Sequence, residues 1–450
     1  MRRAALSIAL LLTACVDPPA PSPTPAASPG AAQTPAAATK APAKVAPSTD
    51  TKSASKGVEI AHTFEAQLAA IDRAIAGYTQ VAERNGRSSS AFGRVAQLYL
   101  GRARLSGSYD DYAKAEQFVA KGFEVGPSEG FGPFMVRARL NYTLHRLDRV
   151  NEDYAQAIKL PAKDARTRNT RALFAANLAF QRGEYEAAKN AMDVIVADDP
   201  NLSALSSLGL YHWKAGQFDE AEALYVRALE AHEGRDTEPL AWVHLQRGLM
   251  DLDRGRYDDA LAHYRDGEAL IAGYWLIDEH IAEILTLQGK TEQAMALYLD
   301  IIERTQNPEF MDAVAELHLA AGKPELAQPW IDRANARFGE QLERFPEAAY
   351  GHALEHFLAF GKDPAATLKM ALNNHAIRPN ATAKRLLAEA HLAAKQVPEA
   401  QTMIEQALAT PMRSADLHLT AAAVYEAAGN AAKAEAQRKL ARAIHPEAGD

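Results

Sequence analysis

An all-α fold, a superhelical solenoid of stacked helix–turn–helix units, is predicted by three observations. Alanine is abundant, aromatics make up only 7% of the 450 residues, and runs of β-branched residues are scarce, a composition that suits helices packed through small side chains better than a sheet. From about residue 58 the apolar residues recur at three- and four-residue steps, as in IAHTFEAQLAAIDRAIAGYTQVAERNG, the spacing of one helical face. Glycines at presumptive turns then return at a nearly constant interval over most of the chain.

In chain order, the first element is a leader. Arg2 and Arg3 precede the short apolar run Ala4 to Leu12 and then small residues, the layout of a secretory signal that is too short to remain as a membrane-spanning helix. Leu12-Thr13-Ala14-Cys15 resembles the bacterial lipobox, in which the cysteine receives diacylglycerol and the chain is cut just before it. That resemblance makes 1–14 a lipoprotein signal peptide, Cys15 the lipidation site and the membrane a partner through an N-terminal lipid. Cys15 is the sole cysteine, so no intramolecular disulfide can form. In such lipoproteins an Asp directly after the cysteine favours retention in the inner membrane. Val16 stands there, with Asp17 one further on, which favours the outer membrane, facing the periplasm. Residues 15–57 are almost wholly Pro, Ala, Ser and Thr with scattered Lys. Such a tract has too little apolar bulk to offset its ordering entropy and is expected to be a disordered tether.

The remainder, 58–446, is the predicted array. Gly183, Gly216, Gly255, Gly289, Gly322, Gly361, Lys395 and Gly429 are spaced by 33, 39, 34, 33, 39, 34 and 34 residues. Five residues after each stands an alanine: Ala188, Ala221, Ala260, Ala294, Ala327, Ala366, Ala400 and Ala434. Nine after come bulky residues, Met192, Tyr225, Tyr264, Tyr298, Ile331, Met370 and Ile404, with Arg438 the exception. Prolines at 200, 308, 379 and 446 stop one helix before the next. In period and in these positions the chain resembles the tetratricopeptide-repeat family, whose units stack into a superhelix. The resemblance is best over 168–446. Tyr109 to Pro127 looks like the second half of an earlier unit, and 130–167 is helical but degenerate. Two units carry extra residues, before Glu238 and around Phe338 to Phe345, and Arg438 and Arg442 give the last helix a polar face suited to capping the stack.

Two motifs invite a catalytic reading. His352-Ala353-Leu354-Glu355-His356 has the H-x-x-E-H spacing of inverted zinc peptidases, and a zinc-dependent peptidase is the alternative it supports. Zinc chemistry also needs a third ligand and a different fold, and Leu354 and Phe357 occupy core positions of a repeat, so a plain helical face is the simpler reading. Gly289-Lys290-Thr291 lacks the second glycine and the preceding strand of a phosphate loop and falls on the inter-helix turn. No enzyme, cofactor or metal is therefore expected.

In tetratricopeptide domains the first helix of each unit lines the concave groove. Six residues before the turn residue stand Glu283, Glu316, Glu355 and Glu389 in successive units, with Glu279, His280, Asp312, His352 and Arg385 about one turn earlier. Trp213 and Trp242 fall near the N-terminal end of that groove. The column predicts an acidic groove, although glutamate also favours any solvated helix face. It departs from the Lys, Asn and Arg pattern of carboxylate-clamp relatives, so a basic segment or a polyamine-like ligand is the better match. Beyond residue 57 there are 43 basic and 55 acidic residues, a balance that repels phosphate backbones and argues against nucleic acid as a partner. The layout resembles bacterial tetratricopeptide lipoproteins that act as scaffolds in envelope assembly, peptidoglycan turnover or secretion, binding proteins or peptides. A small-ligand binding module is a further alternative. If the lipobox reading holds, Cys15→Ser abolishes lipid labelling and moves the protein from the membrane to the soluble fraction, and continued membrane association of that variant counts against the anchor.

Overall fold

The computed structural model describes residues 63–449 apart from 85, 87, 127–131 and 235. The signal segment, Cys15 and the tether lie outside the described residues. Among those described there are twenty-one helices and no strand, with a single isolated bridge between Thr63 and Ala272. None of the described helices is long and apolar enough to cross a membrane.

Helix α1 (Phe64–Arg84) belongs to no pair but packs on the helix that follows it, where Asp72 meets Arg102 at 2.7 Å, and the other twenty form ten consecutive pairs. The first three pairs are α2 (Ser89–Ser106) with α3 (Tyr109–Glu124), α4 (Gly132–Thr143) with α5 (Leu147–Ala157), and α6 (Ala165–Gln181) with α7 (Tyr185–Asp198). Next come α8 (Leu202–Lys214) with α9 (Phe218–Glu230), α10 (Glu238–Leu252) with α11 (Tyr257–Leu270), and α12 (Trp275–Leu287) with α13 (Thr291–Thr305). The last four are α14 (Pro308–Ala320) with α15 (Pro324–Arg344), α16 (Pro346–Phe360) with α17 (Pro364–Ile377), α18 (Ala381–Ala393) with α19 (Val397–Leu408), and α20 (Ala415–Ala427) with α21 (Ala431–Ile444). The degenerate stretch is thus one more pair, turning at His145. Of the two insertions, one lengthens the loop between α9 and α10 and the other extends α15.

Each turn reverses the chain through one residue in the left-handed region, which glycine adopts without a side-chain clash. Gly183, Gly216, Gly255, Gly289, Gly322 and Gly429 all do so, and Lys395 takes the same conformation at φ 60 despite its side chain. Gly361 does not. Its φ is −67, and α17 begins three residues after it, where the neighbouring second helices begin two after theirs. That extra turn residue slips the unit by one: Ala366 is exposed, and Thr367 and Ala371 are buried in its place. The alanine position of the repeat therefore fails at this one unit.

Elsewhere the small positions are closed contacts. Ala188, Ala221, Ala260, Ala294, Ala327, Ala400 and Ala434 have no solvent-accessible surface. The bulky residue of the second helix reaches across to the first. A Cβ on Gly248 of α10 would lie 2.2 Å from the ring of Tyr264 on α11, and one on Gly209 of α8 would lie 3.1 Å from Tyr225 on α9.

First helices form the inner layer and second helices the outer one: α12 is buried at ten consecutive residues, Trp275 to Ile284, whereas α13 buries only Ala294, Tyr298, Ile301 and Ile302. The stack also winds back onto itself. The Tyr185 hydroxyl accepts from Ala381 N at 2.8 Å, and Arg413 N donates to Lys214 O at 2.8 Å. Trp275 Nε1 donates to Leu105 O at 2.9 Å, and Tyr257 meets His445 at 3.2 Å. These partners lie about six pairs apart in the first two cases, so turns of early units rest on loops of late ones. At the C-terminus Arg438 and Arg442 pair with Glu426 and Glu435 on the outer surface of the last unit.

Filling a closed contact should cost about 1–3 kcal/mol through overpacking. Gly248→Ala and Ala294→Leu are expected to lower stability by that amount in thermal melts, whereas Ala366→Leu, exposed by the slip, should stay within about 0.5 kcal/mol of the unchanged chain. Equal losses at all three positions would contradict the slipped register.

Candidate functional site

The inner layer carries charged side chains into the interior of the superhelix. Asn caps at α8, α14 and α18 (Asn201, Asn307 and Asn380) and Ser414 at α20 fix where these inner helices begin by accepting from backbone N–H groups, which sets the rotation of the residues that follow. On α12, Glu279, His280 and Glu283 are buried together. His280 Nε2 lies 2.9 Å from Glu279 and its Nδ1 3.2 Å from Glu283, with the imidazole stacked on the Tyr264 ring. Burial opposes the imidazolium, but the two carboxylates outweigh it and raise His280 to about 10. Burial raises Glu283 to about 7, against the pull of His280.

On α14, Asp312 contacts His356 Nδ1 of α16 at 2.9 Å, and Glu309 contacts His352 Nδ1 at 2.7 Å. Glu316, one turn beyond Asp312, has no cation beside it among the described residues. Burial pushes its carboxyl up to about 8, and the neighbouring Asp312 and Glu283 push in the same direction. Glu355 of α16 lies 3.6 Å from Arg385 of α18, which also holds Glu389 at 2.7 Å. Burial drives Glu355 well above the ordinary carboxylate range. Thr420 of α20 donates to the same Glu389 oxygen at 2.5 Å, linking the last inner helix to the column.

Glu283, Glu316 and Glu389 each precede their second helix by eight residues, whereas Glu355 precedes α17 by nine. The slip at Gly361 therefore puts His356 in the register position and Glu355 beside it. The four carboxylates share the inner layer of the stack but do not form an open trough. Glu279, Glu283 and His280 are fully covered, while Glu316, Glu355, Glu389 and His352 retain partial exposure. The Tyr264 ring of the preceding unit covers His280, a contact between units that single-unit reasoning misses.

The aromatic end is core as well. Trp213 Nε1 donates to Asp253 at 2.8 Å, beneath Lys214, whose ammonium lies 3.6 Å from the indole centroid. Trp242 is buried, and its indole N–H donates no hydrogen bond among the described residues. Asp253 and Asp416, on distant units, both feel Lys214, and burial raises both, Asp416 to about 6. Asp253 and Asp416 are members of the charged interior that the glycine register did not single out, because one lies after its helix and the other at its first turn.

The geometry lends the peptidase reading no support: His352 and His356 each face a carboxylate of α14, and Glu355 turns to Arg385. Gly289-Lys290-Thr291 is an inter-helix turn, with Thr291 beginning α13.

Residues 201–271 match the family model of the tetratricopeptide repeat, which spans the pairs α8–α9 and α10–α11. No curated protein matches the chain. Among solved structures, a tetratricopeptide repeat protein from Parabacteroides merdae is 19% identical, covering 54% of this chain and 92% of that one at a TM-score of 0.36. Human IFIT1 with PPP-AAAA is 12% identical over 81% of this chain and 91% of that one, TM-score 0.40. The Naa15/Naa10 structure bound to HypK-THB is 13% identical over 82% of this chain, which spans 65% of that one, TM-score 0.28.

The raised carboxyls set a sign for pH. A group held at about 8 when folded and near 4.5 when unfolded contributes stability that is complete below pH 4.5 and lost as pH rises through 8. Glu283 and His280 act in the same sense. The melting temperature is expected to fall between about pH 5 and pH 10, and Glu316→Gln should flatten the part of that fall below pH 8 and stabilise the chain at the alkaline end by on the order of 1–3 kcal/mol. A melting temperature that rises over this range would contradict the enclosed, protonated carboxyls.

Proposed function

We propose that this tetratricopeptide-repeat chain is a protein-binding scaffold, held at the cell envelope by a lipid on Cys15 and facing the periplasm, whose acidic inner surface takes a basic peptide segment. The repeats support the scaffold role. The finer reading rests chiefly on Glu316: a half-enclosed carboxyl beside Asp312 and Glu283, with no cation of its own among the described residues. A lysine or arginine entering there would convert mutual repulsion into attraction in a low-dielectric setting. Glu355 and Glu389, partly accessible along the same layer, extend the surface for a second cationic residue, and Arg385 between them limits how many a segment can place.

The match of charge, rather than of overall acidity, is what distinguishes this reading. A lysine-rich peptide should bind the full chain with an affinity that falls as salt increases. Glu316→Gln with Glu355→Gln should weaken capture by at least about tenfold at low ionic strength, taking one charged contact at roughly 1.4 kcal/mol, while helicity is unchanged. Glu292→Gln with Glu325→Gln, both at exposed first turns of outer helices, should leave binding intact. Equal effects from the two pairs would assign the binding to general acidity and overturn the inner-surface reading.

A further inference from the structure

A second cluster lies apart from the acidic interior, within the unit formed by α10 and α11. His244 comes from α10, while His263 and Asp266 come from α11, three residues apart and therefore on one face of it. One ligand atom from each of the three falls within 4.8 Å of the others. His244 Nδ1 lies 3.6 Å from Asp266 Oδ2, and the two imidazole centroids are 6.3 Å apart. Both Nδ1 atoms are buried and make no hydrogen bond. Asp266 is exposed, so the cluster opens to solvent on one side.

We propose that His244, His263 and Asp266 form a binding site for a divalent transition-metal ion of the zinc class, with a coordination position left open toward solvent. Two imidazoles and one carboxylate are donors that suit zinc, cobalt or nickel rather than calcium or magnesium. Three protein ligands with an open position are the pattern of sites that accept water or a group from a partner, as distinct from closed structural sites. The surroundings fit. His263 Nε2 lies 3.5 Å from Asp251 Oδ2, so a proton on Nε2 faces a carboxylate and leaves Nδ1 its lone pair, the outer-shell arrangement that orients metal-ligating histidines. The nearby cation Arg247 is held by Glu222 through its Nε and Nη2, and Arg254 lies 3.5 Å from Asp251. The 4.8 Å spread is wider than ligands around a zinc ion, so binding requires a small side-chain adjustment, which the exposed Asp266 can supply. This site is independent of the acidic inner surface and of what that surface binds.

The test is titration of the chelator-stripped full chain with Zn²⁺, together with the visible spectrum of the Co²⁺ form. One metal ion per chain is expected, with Co²⁺ bands showing nitrogen and oxygen ligation at low coordination number. Asp266→Asn, at an exposed position that keeps the fold, and His263→Ala should each weaken Zn²⁺ binding by at least about tenfold and reduce the Co²⁺ bands, and Asp251→Asn should weaken it by about tenfold through the imidazole it orients. His318→Gln should change nothing. Absence of stoichiometric uptake, uptake that survives both Asp266→Asn and His263→Ala, or loss in His318→Gln or His352→Gln instead would overturn the assignment. Far-UV circular dichroism of each variant separates loss of a ligand from loss of fold.

Discussion

Tyr264 lies against Gly248 so closely that no Cβ could stand between them, and Tyr225 does the same over Gly209. Contacts of this kind hold the two helices of a unit at the shortest separation their backbones allow, with the fully buried alanines closing the other side. Units packed this closely stack one on the next, each adding a small rotation to the curvature of the array. The curvature is sufficient for early turns to reach late loops, as Lys214 reaches Arg413 and Tyr185 reaches Ala381.

Burial between successive units changes the chemistry of the inner layer. On an open solenoid, glutamates along the concave side would be solvated and ordinary. Here Glu279 and Glu283 are covered and must share His280, while Glu316 has only acidic neighbours. Removing a carboxylate from water disfavours its charged form far more than a surface neighbour can. The interior is therefore held partly protonated, and an arriving cation would both gain attraction and release protons. Binding and pH are thus linked through the same few side chains.

Much of the fold was legible because the repeat is a local rule. The glycine interval, the alanine five residues on and the bulky residue nine on describe contacts inside one unit, and they place helix pairs correctly from α6 to α21 in all but one case. Even Lys395, a lysine where glycine is usual, takes the left-handed turn. The exception, Gly361, fails because one added residue in the turn moves every following side chain by about a hundred degrees around its helix, which a tally of spacings cannot see when the overall interval stays near 34. Enclosure of Glu283 and the core burial of Trp213 and Trp242 were not legible, since they depend on contacts between units, such as that of Trp213 with Asp253 of the next pair, which a rule for one unit does not describe. The His244, His263 and Asp266 cluster was missed for a simpler reason: its members sit on two helices and match no contiguous motif, although the His-x-x-Asp spacing on α11 was a signal that could have been read.

The enclosed acidic interior is tested most directly by a carboxyl-carbon NMR titration of Glu316 in the full chain, with the resonance assigned by its loss in Glu316→Gln. The account predicts a midpoint near 8 for the free protein, moving to lower pH when a lysine-rich peptide is added. A midpoint close to the ordinary glutamate value of about 4.3 in the free protein would mean that water reaches this carboxyl freely, and would contradict both the enclosure and the charge-based recognition built on it.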